Sequence, residues 1–170
     1  VSYYQSHHLS DLHTTQDLLQ RINEIKSLHQ SLSPIEDTTP EITTDQLRYY
    51  RNPNNTKGRF RTFEIPKKSG GSRIITAPHD PAYQWILRAI AQMLEQAYTP
   101  SDHAMGFVKN RSVKLNAQAH EGKNYVYNLD LKDFFPSIRQ ARVCARLQCP
   151  PFSLNRELAA TIAGLVCMRL

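Results

Sequence analysis

Apolar residues recur at helical spacing in three long segments of the chain. In residues 12–32 the repeat predicts a first amphipathic helix through Leu18, Ile22, Ile25 and Leu32. Asp80-Pro81 predicts the start of another helix, because it joins an N-cap residue to proline at the first helical position. Its apolar face runs over five turns through Tyr83, Ile86, Leu87, Ile90, Leu94, Ala97 and Tyr98. A last helix is predicted from Ser153, with Leu158, Ile162, Leu165 and Val166 on one side.

Three other segments have the pattern of strands. Side-chain types alternate along residues 60–65, and residues 73–76 are rich in β-branched side chains. The glycine-rich basic segment Lys67–Gly71 lies between these two runs. This arrangement predicts a β-hairpin with a basic tip. Asn124–Leu131 predicts a further strand that runs into Asp130.

Shorter elements connect these segments. The polar stretch Ile35–Ile42 reads as a linker, and Thr43 with Gln46 has the capping-box pattern of a short helix. Another helix is predicted from Ser112 to about Glu121, ended by Gly122. A helix from Pro136 to about Gln148 precedes Pro150-Pro151. The mixture predicts an α+β fold.

Composition narrows the class of protein. Hydrophobic residues make up 40% of the 170 residues, which supports a packed core, and the net charge of +6 favours polyanionic partners. No apolar run reaches the roughly 20 residues that cross a bilayer. Three cysteines without a close pair indicate free thiols in a reducing cytoplasm, and the seven histidines have no zinc-ligand spacing. Because the chain starts with Val1 and stops within apolar residues at Leu170, we expect a segment of a longer protein.

Two groups of residues suggest chemistry. Asp130 lies at the end of the predicted strand and Asp133 follows three residues later, and nucleotidyl transfer uses carboxylates that hold divalent ions. The alternative for such an aspartate is a turn or cap residue. On the predicted hairpin, Lys67, Lys68 and Arg73 offer cationic donors that suit a triphosphate. The alternative there is a solvated basic turn.

The stretch NLDLKDFFPSI, residues 128–138, closely resembles the first palm motif of bacterial reverse transcriptases of the retron and group II intron type. The resemblance implies that Asp130 binds metal and that Leu131 supplies the adjacent backbone carbonyl. It implies that Phe135 is the aromatic gate that excludes a 2′-hydroxyl. Asp133 and Phe134 match positions whose backbone amides approach the incoming triphosphate, although Phe134 also reads as a core residue.

Two further stretches resemble the same enzymes. IPKKSGGSRIITAP is similar to their first fingers motif, which implies that Arg73, assisted by Lys67 or Lys68, contacts the phosphates of the incoming nucleotide. HAMGFVKNRSVKLNAQAH resembles their second fingers motif and the NAxxH signature of retron enzymes. The implied contacts to template or structured RNA are Gly106, Phe107, Arg111, Asn116 and His120. Ser112 is expected only to cap its helix, and Asn116 with His120 also reads as a surface pair.

The resemblance implies three regions. These are a helical N-terminal extension (1–55), fingers (56–123) and the opening of the palm with its first strand (124–170). It implies an RNA-directed DNA polymerase that uses two Mg²⁺ ions, an RNA template, a DNA or RNA primer and deoxynucleotides. A retron would add a cognate structured RNA and a role in phage defence.

No Tyr-x-Asp-Asp motif occurs in the chain, so we expect it to be inactive alone. The alternatives are a group II intron or other bacterial reverse transcriptase, and a non-catalytic nucleic-acid-binding module. An RNA-dependent RNA polymerase is a third, against which Phe135 argues.

Overall fold

A computed structural model describes residues 9–32, 39–52, 54–55, 58–68 and 70–168. A 3₁₀ turn at Leu9–Asp11 precedes seven helices and one hairpin in these ranges. The helices are α1 (Thr15–Leu32), α2 (Thr44–Arg51), α3 (Pro81–Ala97), α4 (Val113–Gln118), α5 (Phe134–Ser137), α6 (Gln140–Leu147) and α7 (Arg156–Val166). The strands are β1 (Phe60–Pro66) and β2 (Ser72–Pro78). The predicted mixture of helix and strand is confirmed.

Helices α1, α2, α3 and α7 enclose the hydrophobic core. Their apolar faces supply most of its fully buried side chains, among them Leu18, Ile22, Leu47, Ile86, Ile90, Leu158, Ile162 and Leu165. Asp80 caps α3 as the sequence predicts, because its Oδ1 accepts from the backbone N–H of Ala82 at 2.8 Å and of Tyr83 at 3.2 Å. One core thus draws on all three regions expected from the sequence.

The predicted start of α2 is also confirmed. Thr43 and Gln46 form a reciprocal capping box, with Gln46 N–H donating to Thr43 Oγ1 at 3.2 Å and Thr43 N–H donating to Gln46 Oε1 at 2.9 Å. Asn23 of α1 binds both backbone groups of Ile42, at 2.8 and 2.9 Å. This pair fixes the segment that enters α2 against α1. Of the predicted linker, residues 35–38 lie outside the described ranges.

The predicted hairpin is confirmed. Strands β1 and β2 pair antiparallel with Phe63 opposite Ile75 and Ile65 opposite Arg73. Its tip is closed by Lys67 N–H to Gly71 C=O at 3.0 Å and by Gly70 N–H to Lys67 C=O at 3.1 Å. Both glycines have positive φ, +88° and +78°, which other residues adopt at a cost. Most of its side chains are exposed.

A buried arginine fastens the base of the hairpin to the helices. Arg59, only 1% exposed, immediately precedes β1. One of its guanidinium nitrogens donates to the Tyr83 hydroxyl at 2.8 Å and to Leu165 C=O at 3.1 Å, with a weaker contact to Gly164 C=O at 3.5 Å. A second guanidinium nitrogen donates to Asn52 C=O at 3.4 Å, and the third, Nε, is buried with no hydrogen-bond partner among the described residues. Through this one side chain β1, α3, α7 and the end of α2 are held together.

The groups around Arg59 stay neutral. Burial raises the pKa of the Tyr83 phenol, although the Arg59 guanidinium acts in the opposite direction. Burial likewise raises the pKa of the Cys167 thiol. Among the described residues no carboxylate lies within ion-pair distance of Arg59. The positive charge is therefore solvated by backbone carbonyls at the C-terminal end of α7, where the helix dipole favours a cation.

The strand predicted at Asn124–Leu131 is not formed, and this prediction is wrong. Residues 125–131 have no regular secondary structure, and Tyr125, Tyr127 and Leu129 are 94%, 88% and 84% exposed. A strand requires a hydrogen-bonded neighbour. In the described ranges β1 and β2 pair only with each other. Residues 125–131 therefore have no neighbouring strand with which to form backbone hydrogen bonds.

Three predicted helix boundaries are also corrected. The helix predicted from Pro136 consists of the single turn α5 and then α6, which begins at Gln140. Helix α7 begins at Arg156 instead of Ser153, because Asn155 caps it: its Oδ1 accepts from Leu158 N–H at 3.0 Å, and its Nδ2 donates to His13 C=O at 2.7 Å. Helix α4 is short and ends at Gln118.

The close approach of α2 to α7 generates a stability prediction. A Cβ added at Gly164 would lie 2.8 Å from the Arg51 carbonyl oxygen, which is backbone and cannot rotate away. We expect Gly164→Ala to lower the free energy of unfolding by about 1–3 kcal/mol in urea denaturation. Gly106→Ala is the control, since no atom lies within 4 Å of its added Cβ. Equal stability of the two variants would contradict the packing described.

Candidate functional site

The segment that carries Asp130 and Asp133 is open to solvent. Both residues are exposed, and neither carboxylate has a hydrogen bond or ion pair to another described residue. Asp133 has φ +51° and ψ +38° and precedes α5 without a side-chain capping bond. The alternative of a turn or cap residue, which concerns Asp130, has no support there, because residue 130 lies in no turn and its carboxylate makes no hydrogen bond to a described residue; the turn lies at Asp133. A non-glycine residue in this conformation is uncommon, and it turns the chain sharply into α5.

Phe134 and Phe135 follow that turn. Their rings meet edge to face with centroids 5.3 Å apart, and they are 47% and 71% exposed. The reading of Phe134 as a core residue is not what the structure shows, because the two rings pack on each other and not on the helical core. Phe135 also lines an open cavity of about 980 Å³ with Pro136, Arg139, Val166 and Met168.

The basic hairpin has one face with a distinct composition. Residues that lie opposite each other in an antiparallel pair share a face, as do alternate residues along a strand. Arg73, opposite Ile65, is therefore on the same face as Phe63 and Arg61. The Arg61 guanidinium lies 5.4 Å from the centroid of the Phe63 ring. This face thus combines an aromatic ring with two cations, while Lys67 and Lys68 are exposed at the tip.

The hairpin and the aspartate segment are not joined directly. Between the described residues no hydrogen bond, ion pair or ring contact links residues 67–73 to residues 130–135. The sequence-predicted groups therefore stand on two separate elements of one scaffold. Arg59 holds one of these elements, the hairpin, to α7, and α7 packs against α6, which follows α5.

Arg111 is engaged within its own loop. Its guanidinium donates to the backbone carbonyls of Ser101 and Ala104, the latter at 2.7 Å, and lies 3.4 Å from Asp102 Oδ1. Its predicted contact with a template phosphate stays a prediction, whereas these contacts support a bracing role. Phe107 lies in this loop. Its side chain is fully exposed, and its backbone φ is +58°. Ser112 caps α4 as expected, its Oγ accepting from Leu115 N–H at 3.3 Å.

Asn116 and His120 are both exposed, but they do not share a regular helix. Asn116 lies in α4, whereas His120 lies in the turn after Gln118, with its N–H donating to Ala117 C=O at 3.0 Å. The helix predicted from Ser112 to about Glu121 would have placed both side chains on one face. Because α4 ends at Gln118, that placement is not formed. Gly106 is exposed beside Phe107.

Oxygen donors suited to magnesium are present but few. The Asp130 carboxylate and the Leu131 carbonyl are of the kind that Mg²⁺ prefers. In the described ranges no three His, Cys, Asp or Glu side chains gather closely enough to hold a metal ion. Asp130 and Leu131 could therefore supply some of the oxygen ligands of a metal site, and the described residues do not complete a two-ion centre.

Comparison with known proteins identifies the class that these motifs indicate. The chain is similar in sequence to reverse transcriptases, and the similar proteins are those of retrons. It is 36% identical over 127 residues to the retron Mx65 reverse transcriptase of Myxococcus xanthus, which covers 74% of this chain. The retron Mx162 enzyme of the same organism is 35% identical over 60% of the chain, and the retron Ec86 enzyme of Escherichia coli is 29% identical over 65%. The resemblance inferred from the motifs is thereby confirmed, and it is to the retron type.

The similarity extends over a limited part of those relatives. The chain spans 29%, 21% and 34% of the lengths of the three proteins, in the same order. Since 74% of 170 residues is about 126, the segment matched to the Mx65 enzyme must include residues 45–126, and hence the basic hairpin and the Arg111 loop. No family model matches the chain, and no solved structure matches it.

Two general expectations concern the setting of the site. No helix of the described part is long and apolar enough to cross a membrane. Cys144, Cys149 and Cys167 are all free thiols. The cytoplasmic location expected from the cysteines stays a prediction.

The Arg111 contacts generate a prediction about loop dynamics. Arg111→Gln removes donors from two backbone carbonyls, so we expect amide hydrogen exchange within residues 101–111 to accelerate roughly tenfold, as a loss of about 1.4 kcal/mol implies. The core should be unaffected because the loop lies outside it. Lys109→Gln, an exposed change in the same loop, is the control. Unchanged exchange in Arg111→Gln would show that the guanidinium does not brace the loop.

Proposed function

We propose that this chain carries the fingers and the opening of the palm of a retron-like RNA-directed DNA polymerase. The observation that carries the proposal is the 36% identity to a retron reverse transcriptase over 74% of the chain. The order of the three motif-bearing stretches along residues 65–138 supports it. Residues 9–32 and 39–51, which are mainly helical, would belong to the N-terminal extension.

Each predicted residue has a role that its surroundings allow. The exposed cations Lys67, Lys68 and Arg73 bind and orient the triphosphate, whose oxygens accept from ammonium and guanidinium groups. Phe135 stands as a rigid wall under the sugar, since a ring that cannot yield discriminates by collision. The backbone amides of Asp133 and Phe134 approach the same phosphates in this proposal, and the left-handed conformation of Asp133 turns the chain at that point.

Asp130 is the residue that we assign to metal binding, with the carbonyl of Leu131 beside it. Magnesium, when bound, would activate the attacking hydroxyl of the primer and neutralise charge on the leaving phosphates. Among the described residues, no group of three His, Cys, Asp or Glu side chains that could hold a metal ion forms around Asp130. The 170-residue chain alone is therefore proposed to be inactive in synthesis.

The partners follow from the proposed reaction. An RNA template, a DNA or RNA primer and deoxynucleotides are required, and the net charge of +6 favours association with these polyanions. Phe107, Gly106, Asn116 and His120 are exposed and available to a template or to a cognate structured RNA. A role in phage defence would follow from the retron type.

Two alternatives are less well supported. A group II intron enzyme would share the same motifs, but the relatives named above are all retron enzymes. A non-catalytic nucleic-acid-binding module would need the same hairpin without the rest of the active site. Reading the codons that follow Leu170 separates an enzyme from a non-catalytic module. A Tyr-x-Asp-Asp motif is required for the enzyme, and a stop codon directly after Leu170 would exclude the enzyme.

Substitution of the proposed metal ligand tests the assignment. In the protein encoded by the complete reading frame, Asp130→Asn should reduce primer extension at least a thousandfold, by analogy with the loss of a group that stabilises transition-state charge, about 4 kcal/mol. RNA affinity in a filter-binding assay should stay within about twofold, because Asp130 is acidic and exposed. Retained synthesis would refute the role.

The gate assignment has its own test. Phe135→Val should admit ribonucleotides and raise the incorporation ratio of ribo- to deoxynucleotides by about ten- to a hundredfold, since the wall that collides with the 2′-hydroxyl is shortened. Phe134→Val is the matched control and should leave the ratio unchanged. If both variants keep the sugar selection of the parent, Phe135 is not the gate.

A further inference from the structure

A stretch of the chain outside the predicted motifs carries concentrated positive charge. Residues 139–156 contain four arginines, and no aspartate, glutamate or lysine occurs from residue 134 to residue 156. The net charge of these 23 residues is therefore +4, compared with +6 for the whole chain. The sequence motifs give these arginines no role.

Three of the four lie along one helix. Arg139 is the N-cap residue of α6, and Arg142 and Arg146 follow three and seven residues later. This spacing brings the three arginines to one side of the helix. All three are exposed. Arg146 is held in place, because its Nη1 donates to Pro150 C=O at 2.6 Å and its guanidinium lies 5.6 Å from the centre of the Phe152 ring. Arg139 and Arg142 have no carboxylate within ion-pair distance among the described residues.

The stability of α6 does not explain this placement. Positive charges in the first turn oppose the helix dipole. The first turn contains no acidic residue, and Arg139 makes no side-chain capping bond. Two exposed arginines are thus kept where they weaken the helix that carries them. Such a cost is expected where the charges serve an external partner.

We propose that Arg139 and Arg142 form a binding surface for the phosphate backbone of nucleic acid, on the same helix as the anchored Arg146. The identity of the partner rests on the proposed function. Arg139 and Arg142 are about 4.5 Å apart along the helix axis. A duplex presents one phosphate charge per roughly 1.7 Å of axis, so each guanidinium can meet its own phosphate.

The position of the surface agrees with this partner. Arg139 lines the same open cavity of about 980 Å³ as Phe135, the proposed gate residue. The proposed surface therefore borders, through Arg139, the cavity that Phe135 also lines. Guanidinium groups also suit phosphate better than ammonium groups, because their planar fork donates two parallel hydrogen bonds.

The test measures how salt affects binding to the 170-residue chain. Affinity for a fluorescent RNA hairpin is measured by anisotropy from 50 to 200 mM KCl, for the parent and for the double variant Arg139→Gln/Arg142→Gln. We expect weaker binding and a slope of log K against log salt that is shallower by about 1.5, because two phosphate contacts are lost. Far-UV circular dichroism checks that α6 stays folded.

The matched control is Arg21→Gln/Arg48→Gln, which removes the same net charge from two arginines that already pair with Glu24 and Asp45 at 3.3 Å. Its slope should equal that of the parent. An equal slope in the Arg139→Gln/Arg142→Gln variant would overturn the inference, as would an absence of RNA binding by the parent. Preferential binding of polyglutamate over RNA would also overturn it, in favour of an acidic protein partner.

These outcomes are independent of DNA synthesis. If Asp130→Asn failed to affect primer extension while the salt slope changed as expected, the proposed catalytic role would fall and the binding surface would stand. If the reverse were observed, the enzyme assignment would stand without this surface.

Discussion

The described structure depends on one buried guanidinium. Arg59 has no carboxylate partner in the described ranges and is held by carbonyls at the ends of α2 and α7 and by the Tyr83 hydroxyl, which itself donates to Leu165 C=O at 2.6 Å. A charge taken out of water is tolerated only where several acceptors replace its hydration. Arg59 meets this condition at its two terminal nitrogens, which join the exposed hairpin to the helical core, whereas its Nε is buried with no hydrogen-bond partner among the described residues. A hairpin of two strands is marginal by itself, so this attachment keeps its basic tip in a defined place.

Elements defined by their own residues were predictable from the sequence. Helix α3 has seven apolar positions on one face and a cap at Asp80, and both signals act within a few residues. The hairpin likewise follows from alternation around two glycines with positive φ. The segment around Tyr125 and Leu129 has equally clear alternation and yet forms no strand. Alternation of apolar and polar residues specifies which side of a strand is apolar. It does not provide the neighbouring strand whose backbone groups must pair with it by hydrogen bonds.

For the candidate site, the sequence proposes residues and only the fold gives their arrangement. Resemblance marked Asp130, Arg73 and Phe135, whose roles stay predictions, and the structure places them on two separate elements. Arg59 and Arg61 flank the same phenylalanine, and only the fold makes one buried and the other exposed. The contacts of Arg111 within its loop could not be predicted for a similar reason, because its partners include backbone carbonyls, which have no side-chain signature.

The most direct test of this account is the stability of Arg59→Met beside Arg61→Met in urea denaturation. Methionine keeps much of the apolar volume and removes the donors, so Asn52 C=O and Gly164 C=O lose their charged partner. We expect Arg59→Met to lower the free energy of unfolding by about 3 kcal/mol, the scale of charge-assisted hydrogen bonds lost from a buried site. Arg61→Met should change it by less than about 0.5 kcal/mol. Equal stability of the two variants would contradict the claim that Arg59 joins the hairpin to the core.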